Sequence, residues 1–528
     1  MSSEPGASPR TSPASPTDDE NATDSRRTVV RKVVGLLLGP VLGLAAYLAM
    51  PGIALPVDGG DGVMVPEGEV SSNAAIVAAV AVVMAVWWMT EALPLPATAL
   101  LPLALFPVLL DGVPIGDVTA PYANEIIFLF MGGFIIALAM QRWNLHRRVA
   151  LAIVAAVGSG PVTIIGGFML ATGFITMWVS NTATAMMMLP IGLAVIGLVA
   201  QLRGGKADPN FATALMLGIA YASSIGSVAT LIGTPPNALM AGYLAQEHDI
   251  HIGFGQWMLV GAPLAAVFLV VCWLLLTKVV YPPAAGDMGE AREHIRRELR
   301  EMGPMTRGEW TVLAVFVATA VAWVTVPFLA DNAAVSAALP WLASVTDGGI
   351  AIAAAIVLFI VPVDGARGVR AIDWEQASKL PWGVLLLFGG GLSLSGQFGS
   401  SGLSLWIGDL VADLGDVPGW VFVLIVAAIV LLLTELTSNT ATASIFIPVM
   451  AGVALGLGLP IMTLVVPAAL AASMAFMLPV ATPPNAIVFG TGHIRIGQMV
   501  KAGVLLNVVA LVLIMLSMYT TVMWVFGA

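Results

Sequence analysis

Charge is what this sequence has least of: 21 Lys and Arg with 31 Asp and Glu make up only 10% of 528 residues, against roughly 25% in soluble domains. A water-soluble surface cannot be built from so few charges, which excludes a soluble enzyme and leaves no basic face for nucleic acid. Cysteine is reduced to Cys272, inside an apolar run, so no intramolecular disulfide can form and the residue reads as core packing. Histidine occurs five times, at 146, 248, 251, 294 and 493, without a metal-ligand spacing that repeats. Also missing is the alternation of apolar and polar residues over about ten positions that marks an outer-membrane barrel. No activated nucleophile, metal cluster or facing pair of carboxylates stands out, so enzymatic chemistry is not expected.

What is abundant is apolar sequence, 59% of the chain, in runs near the roughly 20 residues that a helix needs to cross hydrocarbon. The fold class is therefore an all-α integral membrane protein, with the lipid bilayer as its first partner. About eleven transmembrane helices are expected, near 33–50, 73–92, 95–111, 124–140, 211–244, 257–280, 310–329, 347–363, 381–398, 462–491 and 503–526. Two further stretches, 160–200 and 419–457, are each split by Ser-Asn-Thr and read as re-entrant hairpins that enter and leave by the same face. Residues 1–32, rich in Ser, Pro, Thr and Asp, read as a disordered tail ending in a basic stop, without a cleavable signal. The rest divides into scaffold helices at 33–111, a first repeat at 112–280, an interfacial helix at 281–309, linking scaffold helices at 310–363 and a second repeat at 364–528. The interfacial helix carries opposite charges at helical spacings, the pattern of a solvated face.

The basic residues orient this arrangement. With the N-terminus in the cytoplasm, all 21 Lys and Arg fall in or beside the tail and the loops at 142–148, 201–210, 281–308, 364–380 and 493–501. The opposite loops hold Asp58, Asp61, Glu67, Glu69, Asp117, Glu247, Asp249, Asp331, Asp409, Asp413 and Asp416 without one basic residue. That segregation obeys the positive-inside rule, placing the protein in the cytoplasmic (inner) membrane with its C-terminus extracytoplasmic.

An internal repeat is visible by eye. Phe130-Met131-Gly132-Gly133 corresponds to Phe388-Gly389-Gly390-Gly391, and Ser180-Asn181-Thr182-Ala183-Thr184 recurs as Ser438-Asn439-Thr440-Ala441-Thr442. Thr234-Pro235-Pro236-Asn237 recurs as Thr482-Pro483-Pro484-Asn485. On the topology above, the helix of Phe130 runs inward and that of Phe388 outward, so the repeats are inverted. Inverted repeats with interrupted helices at matching positions, here near 233–237 and 481–485, mark a secondary transporter with its site at the midplane. A channel needs no such arrangement.

Unwound backbone is tolerated in a membrane only where protein or a water-filled site covers it. Each Pro-Pro removes two donors and leaves free carbonyls on one half-helix and free N–H groups on the next. Carbonyls with Ser, Thr and Asn oxygens suit sodium; N–H ends suit a carboxylate. No Lys or Arg lies near either motif, so the bound cation must balance the anion and coupling should be ordered. Three acidic residues lie at or near membrane segments. Glu91 and Glu125 read as interfacial or capping, and Glu435 as support of the hairpin tip, with a proton or cation role as the alternative.

With Thr90-Glu91-Ala92-Leu93-Pro94-Leu95-Pro96, both Ser-Asn-Thr tips, both Thr-Pro-Pro-Asn breaks, and Ser473-Met474-Ala475-Phe476-Met477-Leu478-Pro479-Val480-Ala481 leading to Asn485, the chain resembles the divalent anion/sodium symporter family over about residues 75–526. That family includes sodium/dicarboxylate and sodium/citrate cotransporters. The resemblance implies a homodimer, an elevator-type fold with a scaffold and a moving transport part, and sodium-coupled symport of a succinate-, malate- or fumarate-like dianion. It also implies about two Na+ sites: Thr176, Ser180, Asn181 and Gly233 for the first, Thr434, Thr437, Asn439 and Ala481 for the second. Thr176 departs from the Ser of the family pattern, keeping the hydroxyl and adding a methyl. The substrate carboxylates are expected at Ser180, Asn181, Thr182, Thr234, Ser438, Asn439, Thr440, Thr482 and Pro483. A sodium-independent exchanger and a citrate or sulfate transporter of the same fold remain open.

Overall fold

Backbone groups in hydrocarbon have no partners but each other, and proline and glycine decide where the resulting helices stop. The computed structural model describes residues 18–50, 53–54, 70–202, 208–286, 288–412 and 417–527. Its first helices are α1 (Asp18–Ala49), α2 (Ser72–Thr90), α3 (Leu95–Thr98), α4 (Leu101–Leu109), α5 (Ile115–Thr119), α6 (Glu125–Arg142) and α7 (Leu145–Ala156). The first hairpin and first broken element follow as α8 (Pro161–Thr176), α9 (Asn181–Leu202), α10 (Pro209–Ser227) and α11 (Pro235–His248). Then come α12 (Phe254–Leu274), α13 (Gly289–Glu301), α14 (Arg307–Asp331), α15 (Ala333–Ala338), α16 (Asp347–Ile360) and α17 (Trp374–Ala377). Next are α18 (Trp382–Ser400), α19 (Leu403–Ala412), α20 (Gly419–Thr434), α21 (Asn439–Gly456), α22 (Met462–Ala472), α23 (Pro483–Phe489) and α24 (Ile496–Ser517), which continues as helical backbone to Phe526.

Eight helical stretches among the described residues are long and apolar enough to span a membrane. Two of them, Asn181–Gln201 and Asn439–Gly456, are the second arms of the hairpins; the others coincide with expected crossings. The stretch expected to cross at 95–111 is built from the pair α3 and α4. Pro96 and Pro102 sit in the opening turns of the two helices and Pro107 inside the second, and the two helices together form one of the shorter apolar helical stretches, Leu95–Leu109. The first helix also begins earlier than expected. Residues 18–32 contain no Pro or Gly to stop it, so α1 extends through the second half of the supposed tail. Residues 1–17 lie outside the described residues, as do Arg203, Lys206, Asp58, Asp61, Glu67, Glu69, Asp413 and Asp416 on which part of the topology rests.

The helix breaks also differ from expectation. Residues 228–234 and 473–482 are non-helical, rather than 233–237 and 481–485. Pro235 and Pro483 open the following helices instead of interrupting them, because at the first helical position a missing N–H leaves nothing unsatisfied.

The largest core joins the two hairpins and broken helices into one body. Phe476, in the second break, meets the rings of Tyr221 on α10 and Phe268 on α12 edge to face at 5.4 and 5.5 Å. Phe130 and Phe388, the first pair of corresponding residues, meet edge to face at 4.9 Å. Within the stretch read as an interfacial helix, α13 packs on α7. Beside it, the part-buried pair Arg148–Glu309, 2.5 Å apart, ties α7 to α14.

Candidate substrate and cation site

Each hairpin turns over a buried threonine. Thr176, the last residue of α8, donates its hydroxyl to the side-chain oxygen of Asn181 at 2.5 Å. The same bond recurs between Thr434, which ends α20, and Asn439 at 2.7 Å. Thr434 Oγ1 also lies 2.8 Å from the Ala472 carbonyl at the end of α22, so three oxygens share one hydroxyl proton. The Asn181 carbonyl accepts from Ser223 at 3.1 Å, and its side-chain amide donates to Ser227 at 3.4 Å. Both threonines are fully buried. These are oxygen-rich, proton-poor places at the carbonyl ends of helices, where the dipole favours a cation.

The breaks are held by residues whose roles the motifs alone did not reveal. Asn237, fully buried, donates to the carbonyls of Val228 and Thr230 at 3.1 and 2.9 Å. Asn485, also fully buried, does the same to Ala475 and Leu478 at 3.3 and 3.0 Å. The asparagine of each Thr-Pro-Pro-Asn therefore clips the unwound backbone before it and is not itself at the cavity. The second break has a further clamp. The Glu435 carboxylate accepts from the backbone N–H groups of Phe476, Met477 and Leu478 between 2.8 and 3.2 Å, and from the Asn507 amide at 2.8 Å. Glu435 supports the broken element facing the tip. Its sequence position gave no sign of that partner. Glu125 begins α6 and accepts from the Gly348 N–H at 3.3 Å, while Glu91 caps α2.

In the first half, the break runs against the end of α10 at Gly233. A Cβ there would lie 2.2 Å from the Ser227 carbonyl oxygen, so only glycine fits. Its counterpart in the second half, Ala481, carries its methyl, 6% exposed.

Tips and breaks meet at one cavity of about 820 Å³, within the roughly 300–1,000 Å³ of small-ligand sites. All nine residues expected to touch substrate line it: Ser180, Asn181, Thr182, Thr234, Ser438, Asn439, Thr440, Thr482 and Pro483. Gly233, Thr437 and Ala481 line it too, whereas Thr176 and Thr434 lie behind Asn181 and Asn439 and do not. The first residues of α9, α11 and α21, with that of the shorter α23, all lie in this wall. The positive dipole ends of α9, α11 and α21 therefore converge on one space, with first-turn N–H groups from α9 and α21 while the Pro-Pro openings of α11 and α23 supply none at their first two positions, an arrangement that accepts an anion.

The sodium:sulfate symporter transmembrane-region model matches residues 62–527. The chain belongs to this family. Similar proteins include the sodium-dependent dicarboxylate transporters SdcS of Staphylococcus saprophyticus, 40% identical over 514 residues (96% of this chain, 94% of the relative), and of Staphylococcus aureus, 41% identical over 501 residues (94% and 92%). Among solved structures, the Alcanivorax borkumensis YdaH transporter has a TM-score of 0.57 at 16% identity, over 95% of this chain and 98% of that one. Neisseria gonorrhoeae MtrF has a TM-score of 0.56 at 14% identity, over 94% and 95%. These two share the fold. As a sodium:sulfate symporter family member the chain is a multi-pass membrane transporter and not an enzyme.

Proposed function

We propose that this chain is a sodium-coupled symporter of a C4-dicarboxylate in the cytoplasmic membrane. The observation that carries this reading is the convergence of helix N-termini on a cavity whose deep wall has no Lys or Arg, backed by the two buried Thr–Asn pairs. A dianion there meets only partial charges, and the missing positive charge is supplied by cations held among carbonyl and hydroxyl oxygens. Two Na+ fit this account, one beside Thr176, Ser180, Asn181 and Gly233, the other beside Thr434, Thr437, Asn439 and Ala481. Relatives described as sodium-dependent dicarboxylate transporters point the same way.

The cavity mouth holds Arg31 and Lys379, both in segments assigned to the cytoplasm, so this conformation reads as inward-open. Outward access follows if the two inverted repeats, with both tips and breaks, move as one body against the scaffold of a homodimer, an elevator.

Thermal unfolding of the purified protein tests the coupling. Succinate at a hundred times its dissociation constant should stabilise by about 2.7 kcal/mol in sodium and not in potassium. Equal stabilisation in both salts refutes sodium-dependent binding.

A further inference from the structure

The wall of the cavity is uncharged except at one end. Its charged residues are Arg31 of α1, Glu91 at the end of α2 and Lys379 ahead of α18. Arg31 and Glu91 are about half exposed, at 53% and 58%, and Lys379 is exposed, whereas Thr234 and Thr482 deep in the cavity are at 2% and 4%. The three therefore mark the mouth. Arg31 Nη2 donates to Glu91 Oε2 at 2.8 Å.

Two features of the backbone hold this pair in place. Glu91 is the C-cap of α2 in the left-handed conformation, φ 51° and ψ 37°, where glycine or asparagine is the usual residue and a larger side chain is strained. Strain of this kind persists where it serves a purpose, and what glutamate provides there is a carboxylate facing Arg31. On the other side, Gly35 and Gly39 let α1 approach Thr90 and Trp87 of α2. Arg31, one turn before Gly35 on the same face, is thereby set beside Glu91.

From this we infer that Arg31 is a substrate-handling residue: it takes a carboxylate of the dianion as it passes between bulk water and the inner site, while Glu91 occupies it between passages and Lys379 adds a second positive charge. An exposed ion pair is weak enough to exchange, and the planar guanidinium fork holds a substrate carboxylate as it holds that of Glu91. The inner site has no fixed cation, so the mouth is the one place where the dianion meets a full positive charge before it sheds its water. The inference rests on the dicarboxylate reading above.

One test is independent of substrate identity. Cys272 is the sole cysteine and is fully buried, so a cysteine replacing Val384, which lines the cavity, is the accessible thiol. Its rate of modification by anionic sulfonatoethyl methanethiosulfonate, relative to the cationic trimethylammonioethyl reagent, should fall about 2- to 5-fold in Arg31→Gln and in Lys379→Gln. The ratio should rise in Glu91→Gln, and all three shifts should fade at high salt. The second test is succinate KM from the mouth side of oriented vesicles, which should rise in Arg31→Gln and fall in Glu91→Gln. A purely structural tie moves both variants the same way with a loss of thermal stability. That result, or an unchanged reagent ratio, overturns the inference. Failure of wild-type protein to carry succinate refutes the dicarboxylate reading instead, and the reagent ratio still decides the role of the mouth.

Discussion

The carboxylate of Glu435 accepts the side-chain amide of Asn507 at 2.8 Å, and with three backbone N–H groups of the second break it pins the end of α20 and the middle of α24 to the unwound chain between them. A buried carboxylate surrounded by five donor contacts is a scaffold for backbone that no helix satisfies. Glu435→Ala leaves three backbone amides and the Asn507 side-chain amide without this acceptor, at about 1–3 kcal/mol each, so it should lower the melting temperature sharply and abolish sodium-dependent uptake. Glu435→Gln keeps one acceptor oxygen and should fall between the two. Thermal unfolding in detergent beside uptake checks the order.

The asparagine clips make a paired prediction. Asn237→Ala and Asn485→Ala each free two buried carbonyls and should destabilise by a similar amount, about 1–3 kcal/mol. Asp at either position is isosteric but has no proton to donate, so it should be at least as damaging as Ala. Equal tolerance of Asp and Asn, read by thermal unfolding, contradicts the clip.

Thr176 and Thr434 separate the two cation places. Thr434 has two oxygens around its hydroxyl and Thr176 one. At roughly 1 kcal/mol per hydrogen bond, Thr176→Val should raise the sodium concentration for half-maximal uptake about 5-fold, and Thr434→Val by more. Thr176→Ser should remain close to wild type, because the hydroxyl is kept. Sodium titration of initial uptake rates reads all three.

A pH effect follows from α7. His146 is buried outside the membrane spans, its Nδ1 3.2 Å from the Met140 carbonyl, and burial, with Arg147 next to it, holds its pKa below the ordinary value. The folded pKa is lower than the unfolded one, about 6.5. The stability this neutral ring contributes is therefore complete above pH 6.5 and is lost as pH falls through the folded pKa. Melting temperatures between pH 8 and 5 should decline in wild type, and the decline should flatten in His146→Gln.

Which features could be seen in the sequence follows from what repeats and what does not. The tips and breaks stood out because Ser-Asn-Thr and Thr-Pro-Pro-Asn occur twice, and the cavity gathers all nine residues they named. Glu435 was visible but its role was not, because its partners lie 41 to 72 positions away and its counterpart in the first half is Met177, which cannot play the part. The clip role of Asn237 and Asn485 is set by which carbonyls the break turns inward, and no spacing encodes that. Arg31 looked like part of a basic tail because its neighbour Glu91 is brought to it by helix packing alone.

Uptake of labelled succinate into proteoliposomes, driven by an inward sodium gradient, tests the central claim most directly. Wild-type protein should accumulate succinate above equilibrium in sodium and not in potassium or choline, and Asn181→Ala and Asn439→Ala should each abolish accumulation while remaining folded. Accumulation that is indifferent to sodium, or that survives in both asparagine variants, contradicts the account.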